Sequence, residues 1–141
     1  MDELELLRLA ARARENACAP YSGFKVGGAI LTKSGRVFTG INVESASYGL
    51  TCCAERVALF KALSEGEREF EAIAVVAQMP GGPMPCGACR QLLIEYAPEA
   101  ILVVADANAL EKYRKFTVSE LLPFAFKDFR ILAGNCSTDL S

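Results

Sequence analysis

The chain has 141 residues with six cysteines and no histidine, and its 15 basic and 17 acidic side chains give a net charge of −2. This length favours one core, so we expect residues 1–141 to form a single domain. A slightly acidic chain has no general attraction for polyanions, which argues against nucleic acid or an anionic membrane as a partner. Without histidine, a metal site must use sulfur or carboxylate ligands.

The start of the chain carries three acidic residues among leucines: Asp2, Glu3 and Glu5. It lacks the basic start and cleavage site of a signal peptide, and the apolar runs are shorter than the roughly 20 residues that span a bilayer. We therefore expect a soluble cytoplasmic protein without membrane contact. In that reducing compartment, six cysteines indicate metal ligands and buried thiols rather than disulfides.

The predicted elements alternate between helix and strand. An opening helix is predicted from an apolar stripe of five residues: Leu6, Leu9, Ala10, Ala13 and Ala17. Residues 25–31 and 36–41 predict a β-hairpin, and a helix capped by Thr51 follows to about Leu63. The nearly continuous apolar runs 72–77 and 100–105 predict strands covered on both faces, with a helix from about Cys86 to Tyr96 between them.

The end of the chain is less regular. Residues 111–118 are ambiguous between an edge strand and a helix, residues 119–122 predict a short helical turn, and the tail after Lys127 has no clear pattern. The strand, helix, strand order across residues 72–105 predicts a parallel crossover, which joins the antiparallel hairpin. We therefore expect an α/β fold, a three-layer α/β/α sandwich with a mixed five-stranded sheet.

The strongest chemical signal is the motif Cys86-Gly87-Ala88-Cys89, together with a cysteine pair at residues 52–53. Cys86 and Cys89 lie three residues apart and share a helix face, where they can bind one ion. A redox pair is the alternative, but it leaves the segment around residues 53–55 without a role. A structural zinc site would need a fourth ligand, and three cysteines could supply the missing thiol: Cys18, Cys52 and Cys136.

Three cysteines with an open fourth position would instead form a catalytic zinc centre, with Glu55 as the proton carrier. In a regular helix Cys53 and Glu55 lie about 200° apart, whereas Cys52 and Glu55 share a face. Spacing alone therefore favours Cys52, unless the metal lies ahead of the helix start, where first-turn side chains converge. Arg56 and Arg90 are candidate donors to the sulfurs, because hydrogen bonds from them would offset surplus thiolate charge.

These motifs resemble those of the cytidine deaminase family in its short homotetrameric form. The resemblance also rests on residues 19–24, 42–48, 55–60 and 121–126, and it covers nearly the whole chain. It implies one Zn²⁺ per subunit, Glu55 as general acid and base, Arg56 as the residue that offsets thiolate charge, and three zinc ligands: Cys53, Cys86 and Cys89. The implied reaction is hydrolysis of cytidine and deoxycytidine to uridine and deoxyuridine with release of ammonia, in pyrimidine salvage.

The resemblance also implies seven substrate-binding positions: Phe24, Asn42, Glu44, Ala46, Tyr48, Ala54 and Phe126. Asn42 and Glu44 match a ribose-binding pair, for which loop capping is the alternative. Phe24 and Phe126 match aromatic residues of the base pocket, with Phe126 reaching in from a neighbouring subunit, and core packing is their alternative. Phe124 stands where close relatives often have glycine, which leaves the local shape of that segment open.

Three other functions compete with this one. A related deaminase would act on another aminated pyrimidine nucleoside, such as a nucleoside antibiotic. A deaminase of bases in RNA or DNA would need a basic groove, and basic residues cluster only at 112–115. A zinc scaffold without catalysis would use four protein ligands. We expect Cys18 and Cys136 to be buried thiols, and Cys52 could replace Cys53 as a ligand if Cys53 is lost.

Overall fold

A computed structural model of the chain describes residues 1–127. Within them lie three α-helices, α1 (Glu3–Arg14), α2 (Ala54–Ser64) and α3 (Gly87–Tyr96), and five strands, β1 (Val26–Thr32), β2 (Val37–Ile41), β3 (Phe70–Ala77), β4 (Ile101–Asp106) and β5 (Arg114–Thr117). The sheet order is β2-β1-β3-β4-β5. Strands β3 and β4 pair in parallel and the other neighbours pair antiparallel. The predicted mixed five-stranded sheet is therefore confirmed.

The central strands bury both of their faces. Successive strand residues point to opposite sides of a sheet, so one strand serves two cores. Ile73 of β3 packs on one side with Leu59 of α2 and Leu93 of α3. Its neighbour Ala74 packs on the other side with Leu7 of α1. Helices cover the sheet on both faces, which confirms the three-layer α/β/α arrangement.

Helix α1 differs in detail from its predicted stripe. Asp2 caps it by accepting a hydrogen bond from Glu5 N at 2.8 Å. Leu7 is fully buried although it lies outside the stripe, and Ala17 lies beyond the end of the helix. A helix that lies on a sheet buries a band wider than one row of side chains, which accounts for Leu7.

Helix α2 begins two residues later than predicted. Cys53 has extended backbone angles and is the N-cap, whereas the Thr51 hydroxyl accepts a hydrogen bond from Ser45 N at 3.1 Å. Cys52 stays extended because it pairs with Val43, N to O in both directions at 2.9 Å. This pairing prevents the helix from starting earlier.

The first turn of α2 lies directly against the hairpin. A Cβ atom at Gly40 would lie 2.5 Å from Ala58 N and closer still to the Ala54 carbonyl oxygen. A Cβ atom at Gly28 would lie 3.2 Å from the same carbonyl group of Ala54. Glycine at these positions lets the backbone of α2 approach the sheet closely, and this contact positions the first turn of α2, with Glu55, over the hairpin.

The ambiguous segment 111–118 divides between two elements. Leu110–Lys112 forms a 3₁₀ turn, and β5 then pairs with β4 as the edge strand. The turn predicted for residues 119–122 is a 3₁₀ turn at Ser119–Leu121. Across residues 1–127, none of the helices is both long enough and apolar enough for a membrane span.

Candidate active site

Three cysteine sulfurs meet where α2 and α3 begin. Cys53 is the N-cap of α2, Cys86 is the N-cap of α3, and Cys89 follows one turn later. Their Sγ atoms all lie within 4.8 Å of one another, and the sulfurs of Cys53 and Cys86 are 3.8 Å apart. Two sulfurs bound tetrahedrally to one zinc ion at about 2.3 Å would lie about 3.8 Å apart. The spacing fits a zinc ion.

The N-cap position of Cys53 decides between the two adjacent cysteines. Its side chain lies ahead of the helix, so the sulfur reaches the cluster while Glu55 lies in the first turn. Among the described residues, neither Cys52 nor Cys18 joins the group as a fourth ligand. Burial raises the pKa of Cys52. Spacing within a regular helix therefore favoured the wrong residue, because Cys53 is not yet in the helix.

Electrostatics distinguish the three thiols. Hydrogen bonds from Cys89 and Cys86 lower the pKa of Cys53 to about 6 despite its partial burial, and the charge of Arg56 acts in the same direction. The hydrogen bond with Cys53, together with burial, raises the pKa of Cys89. In the absence of metal, Cys53 therefore ionises at a lower pH than Cys89. Its thiolate is an anionic ligand for a cation.

Glu55 is a buried carboxyl group beside the sulfurs. Only 5% of the residue is exposed. Burial raises its pKa from 4.5 to about 7, and the negative charge of Cys53 adds to the effect. A carboxyl group with a pKa near neutrality can both give and accept a proton under physiological conditions, which is what a general acid and base requires.

The two candidate arginines have different partners. Arg56 donates from Nη2 to Cys89 Sγ at 3.9 Å, and its buried Nε has no hydrogen-bond partner within residues 1–127. Arg90 does not bond to the sulfurs: it donates to the carbonyl oxygens of Pro85, at 2.8 Å, and Leu121, at 3.2 Å. Of the two candidates, Arg56 is therefore the one that contacts a sulfur, whereas the guanidinium of Arg90 is held by backbone carbonyls.

A cavity of about 220 Å³ opens beside the cluster. Its walls include Phe24, Asn42, Ala54 and Glu55 from the predicted set. Five other lining residues were not among the predicted substrate contacts: Val26, Thr51, Val75, Pro83 and Met84. A larger cavity of about 510 Å³ lies at the start of α1, lined by other residues. The smaller cavity is the one that contains the reactive groups.

Asn42 and Glu44 hold the segment that forms one cavity wall. Asn42 is buried, donates to Phe24 O at 2.8 Å and accepts from Val26 N at 2.9 Å. Glu44 Oε1 accepts from Tyr21 N and Ser22 N, both at 3.0 Å, and its Oε2 accepts from the Ser22 hydroxyl. Hydrogen bonds from Ser22 lower the pKa of Glu44. Both residues therefore act as loop caps within one chain, and their ribose contacts stay a prediction.

The remaining predicted positions lie at the surface of the chain. Tyr48 is 84% exposed, Phe126 is 67% exposed, and Ala46 is also exposed. None of the three lines the cavity of its own chain. Phe24 is 40% exposed, so core packing accounts for neither Phe24 nor Phe126.

Of the two cysteines predicted to be buried thiols, Cys18 contradicts the prediction and Cys136 is not tested. Cys18 is exposed rather than buried, because it lies past the end of α1 in an extended pairing with residues 42–44. Cys136 lies outside the described residues.

Known proteins are similar to this chain in sequence and in fold. Residues 1–105 match the family model for the cytidine and deoxycytidylate deaminase zinc-binding region. The chain is 54% identical over 126 residues to a cytidine deaminase of Halalkalibacterium halodurans, covering 89% of this chain and 95% of that protein. It is 31% identical over 134 residues to a blasticidin-S deaminase of Bacillus cereus, covering 88% and 91%.

A crystal structure of cytidine deaminase from Burkholderia pseudomallei has the same fold, with a TM-score of 0.86 and 50% identity. The alignment covers 89% of this chain and 100% of that one. The resemblance predicted from the cysteine motifs is therefore confirmed, and the chain belongs to the cytidine and deoxycytidylate deaminase family of zinc-binding enzymes.

Proposed function

We propose that this protein is a zinc-dependent deaminase that hydrolyses cytidine and deoxycytidine to uridine and deoxyuridine and releases ammonia. The observation that carries the proposal is the meeting of three cysteine sulfurs and one buried carboxyl group, that of Glu55, beside a single small cavity. The relative named cytidine deaminase at 54% identity supports the same substrate.

We assign one Zn²⁺ per chain to three ligands: Cys53, Cys86 and Cys89. A bound zinc ion would polarise a water molecule and make it a nucleophile near neutral pH. Three thiolates carry more negative charge than one Zn²⁺ offsets. The guanidinium of Arg56, 3.9 Å from Cys89 Sγ, is placed to reduce this surplus, as are the N-termini of α2 and α3.

Glu55 would move two protons in the proposed reaction. It takes one from the attacking water and gives it to N3 of the cytosine ring, while the hydroxyl group bonds to C4. It then takes the proton of that hydroxyl group and gives it to the amino nitrogen. The bond between C4 and that nitrogen breaks, ammonia leaves, and a carbonyl group remains at C4. Burial raises the pKa of Glu55, which makes the carboxyl group a stronger base and allows it to carry a proton between the two steps.

The substrate contacts that we propose fall into two groups. Phe24, Asn42 and Ala54 line the cavity of their own chain and would contact the base and sugar. Glu44 would join Asn42 at the ribose hydroxyls, because a carboxylate and an amide suit a group that both donates and accepts. The second group would act across a subunit contact: Ala46, Tyr48 and Phe126.

We propose a homotetramer with active sites shared between subunits. Three large apolar side chains that are exposed in the single chain support an interface: Tyr48, Leu50 and Phe126. We further place the reaction in cytoplasmic pyrimidine salvage and treat residues 1–141 as one domain. The five cysteines of the described residues are free thiols, as expected in a reducing compartment. Light scattering on a sizing column measures the assembly.

The decisive experiment is an assay of the purified protein with cytidine, deoxycytidine and blasticidin S, alongside its zinc content by atomic absorption. We expect turnover of the first two with ammonia release and about one zinc per chain. Blasticidin S is included because one relative at 31% identity is named for it. Turnover of blasticidin S alone would move the assignment to that substrate, and a protein that retains no zinc would refute the mechanism.

A further inference from the structure

The loop that carries Cys86 has little secondary structure of its own. It runs from the end of β3 at Ala77 to the N-cap of α3, and it supplies Pro83 and Met84 to the cavity wall. Proline has no N–H group, so Pro83 and Pro85 cannot donate backbone hydrogen bonds that would hold the loop. The first half of the loop has backbone hydrogen bonds of its own, such as that from Gly82 N to Met79 O at 2.8 Å. The second half, which carries Cys86, is also held by contacts from other elements.

Two guanidinium groups provide such contacts, one at the middle of the loop and one at its end. Arg114 on the edge strand donates from Nε to Gly81 O at 2.8 Å. Arg90 in α3 donates from Nε to Pro85 O at 2.8 Å, directly before the ligand, and from Nη1 to Leu121 O at 3.2 Å. The single side chain of Arg90 thus joins the metal-binding loop to the 3₁₀ turn at 119–121.

We propose that Arg90 is a positioning residue of the metal centre. It fixes the Pro85 carbonyl, and through it the backbone of Cys86, so that the sulfur stays within 3.8 Å of Cys53 Sγ. This inference rests on the proposed function, because it takes the sulfur cluster to be the zinc site. Arg90 differs in this from Arg56, whose guanidinium contacts a sulfur directly. Arg90 acts through geometry and Arg56 through charge.

A role of Arg90 through its charge and a role through its bridge between two carbonyls predict different behaviour for Arg90→Lys. Lysine keeps the positive charge, but its single ammonium group lacks the planar fork that reaches two carbonyls in fixed directions. If charge is what matters, Arg90→Lys retains zinc as well as the wild type does. If the bridge matters, Arg90→Lys loses zinc faster, and Arg90→Met loses it faster still.

The experiment measures zinc release from the intact protein into excess chromogenic chelator, with activity and melting temperature recorded in parallel. Loss of a group that orients a metal ligand commonly costs about 10- to 100-fold in metal affinity. We therefore expect zinc release from Arg90→Met to be at least about tenfold faster than from the wild type. Added zinc should restore most of its kcat, because the site is weakened rather than removed.

Arg68 offers a matched control. It also donates to two backbone carbonyls, those of Leu63 at 2.9 Å and Glu67 at 2.8 Å, but at the far end of α2. Arg68→Met should release zinc at the wild-type rate even if its melting temperature falls. Equal zinc release from the methionine variants at positions 90 and 68 would overturn the proposal, as would full retention by Arg90→Lys.

Other outcomes are also decisive. If Arg90→Met does not fold, Arg90→Lys carries the test, and wild-type zinc retention by it contradicts the bridging role. A wild-type protein without zinc or deaminase activity would refute the proposed function instead. A wild type with both, whose Arg90 variants release zinc normally, would refute only the positioning role.

Discussion

Replacing Glu55 by glutamine removes the proton carrier and also removes a buried charge. Glutamine has nearly the same shape but cannot move protons, so we expect kcat for cytidine to fall by about 10²- to 10⁴-fold at unchanged zinc content. The same change should stabilise the metal-free protein. Burial raises the pKa of Glu55 above its value in the unfolded chain, so the ionised carboxylate favours unfolding.

The size of this effect follows from the pKa. The difference between 4.5 and about 7 corresponds to about 3 kcal/mol, at about 1.36 kcal/mol per pH unit. This cost is absent well below pH 4.5, grows as the pH rises to about 7, and is constant above it. The free energy of unfolding of Glu55→Gln should therefore exceed that of the wild type by about 2 kcal/mol more at pH 8 than at pH 5.

Urea unfolding of zinc-free protein at these two pH values, at one fixed protein concentration, tests this prediction. The cysteines titrate in both proteins, and the part of their titration that does not depend on the charge of Glu55 cancels in the difference. Glu111→Gln is the control, because Glu111 is exposed and lies away from the cluster. The difference in free energy of unfolding between Glu55→Gln and the wild type must depend on pH. If it is the same at pH 5 and pH 8, Glu55 is not a buried carboxyl group with a raised pKa.

Three further substitutions test other parts of the structure. Gly40→Ala should lower the free energy of unfolding in urea by about 1–3 kcal/mol, because the new methyl group meets the backbone of α2. Gly49→Ala is the control and should leave the free energy of unfolding unchanged, because Gly49 faces open space. Cys53→Ala should lose zinc. Combining it with Cys52→Ala should lower the zinc content no further, since Cys52 is held outside the cluster. A further drop would show that Cys52 replaces Cys53 as a ligand. Phe124→Gly should raise the melting temperature slightly, by an amount equivalent to up to about 1 kcal/mol in free energy of unfolding. Phe124 has a φ of 54° and a fully exposed side chain, so glycine relieves backbone strain without loss of packing. A lower melting temperature would contradict the left-handed conformation.

Most of the sheet could be predicted because its central strands have an unambiguous pattern. Apolar runs that are covered on both faces leave few alternatives, and β3 and β4 lie within two residues of their predicted bounds. Strand β5 carries basic residues at Arg114 and Lys115 on an exposed edge. Only Phe116 of this strand packs against the core, and it is only partly buried. Four residues with one inward side chain show no clear period, which is why the sequence left the segment ambiguous.

The site was predictable in composition but not in geometry. The three-residue spacing of Cys86 and Cys89 indicated a metal site, whereas the choice of Cys53 over Cys52 depended on where α2 begins. That point is set by backbone pairing between Cys52 and Val43, nine residues earlier, which no local pattern records. The partners of Arg90 were missed for a similar reason, since the carbonyl of Leu121 comes near only in the folded chain.

The features that make the site reactive also weaken the metal-free protein. Glu55 is buried at an energetic cost, and Arg56 has a buried Nε without a partner among the described residues. The thiolates of a zinc-binding cluster add negative charge beside Glu55. A divalent cation compensates for the negative charges at once, so binding it must stabilise the fold. Zinc therefore links the activity of the site to the stability of the fold. A substitution that loosens the sulfur cluster should lower activity and stability together, whereas Glu55→Gln should move them in opposite directions.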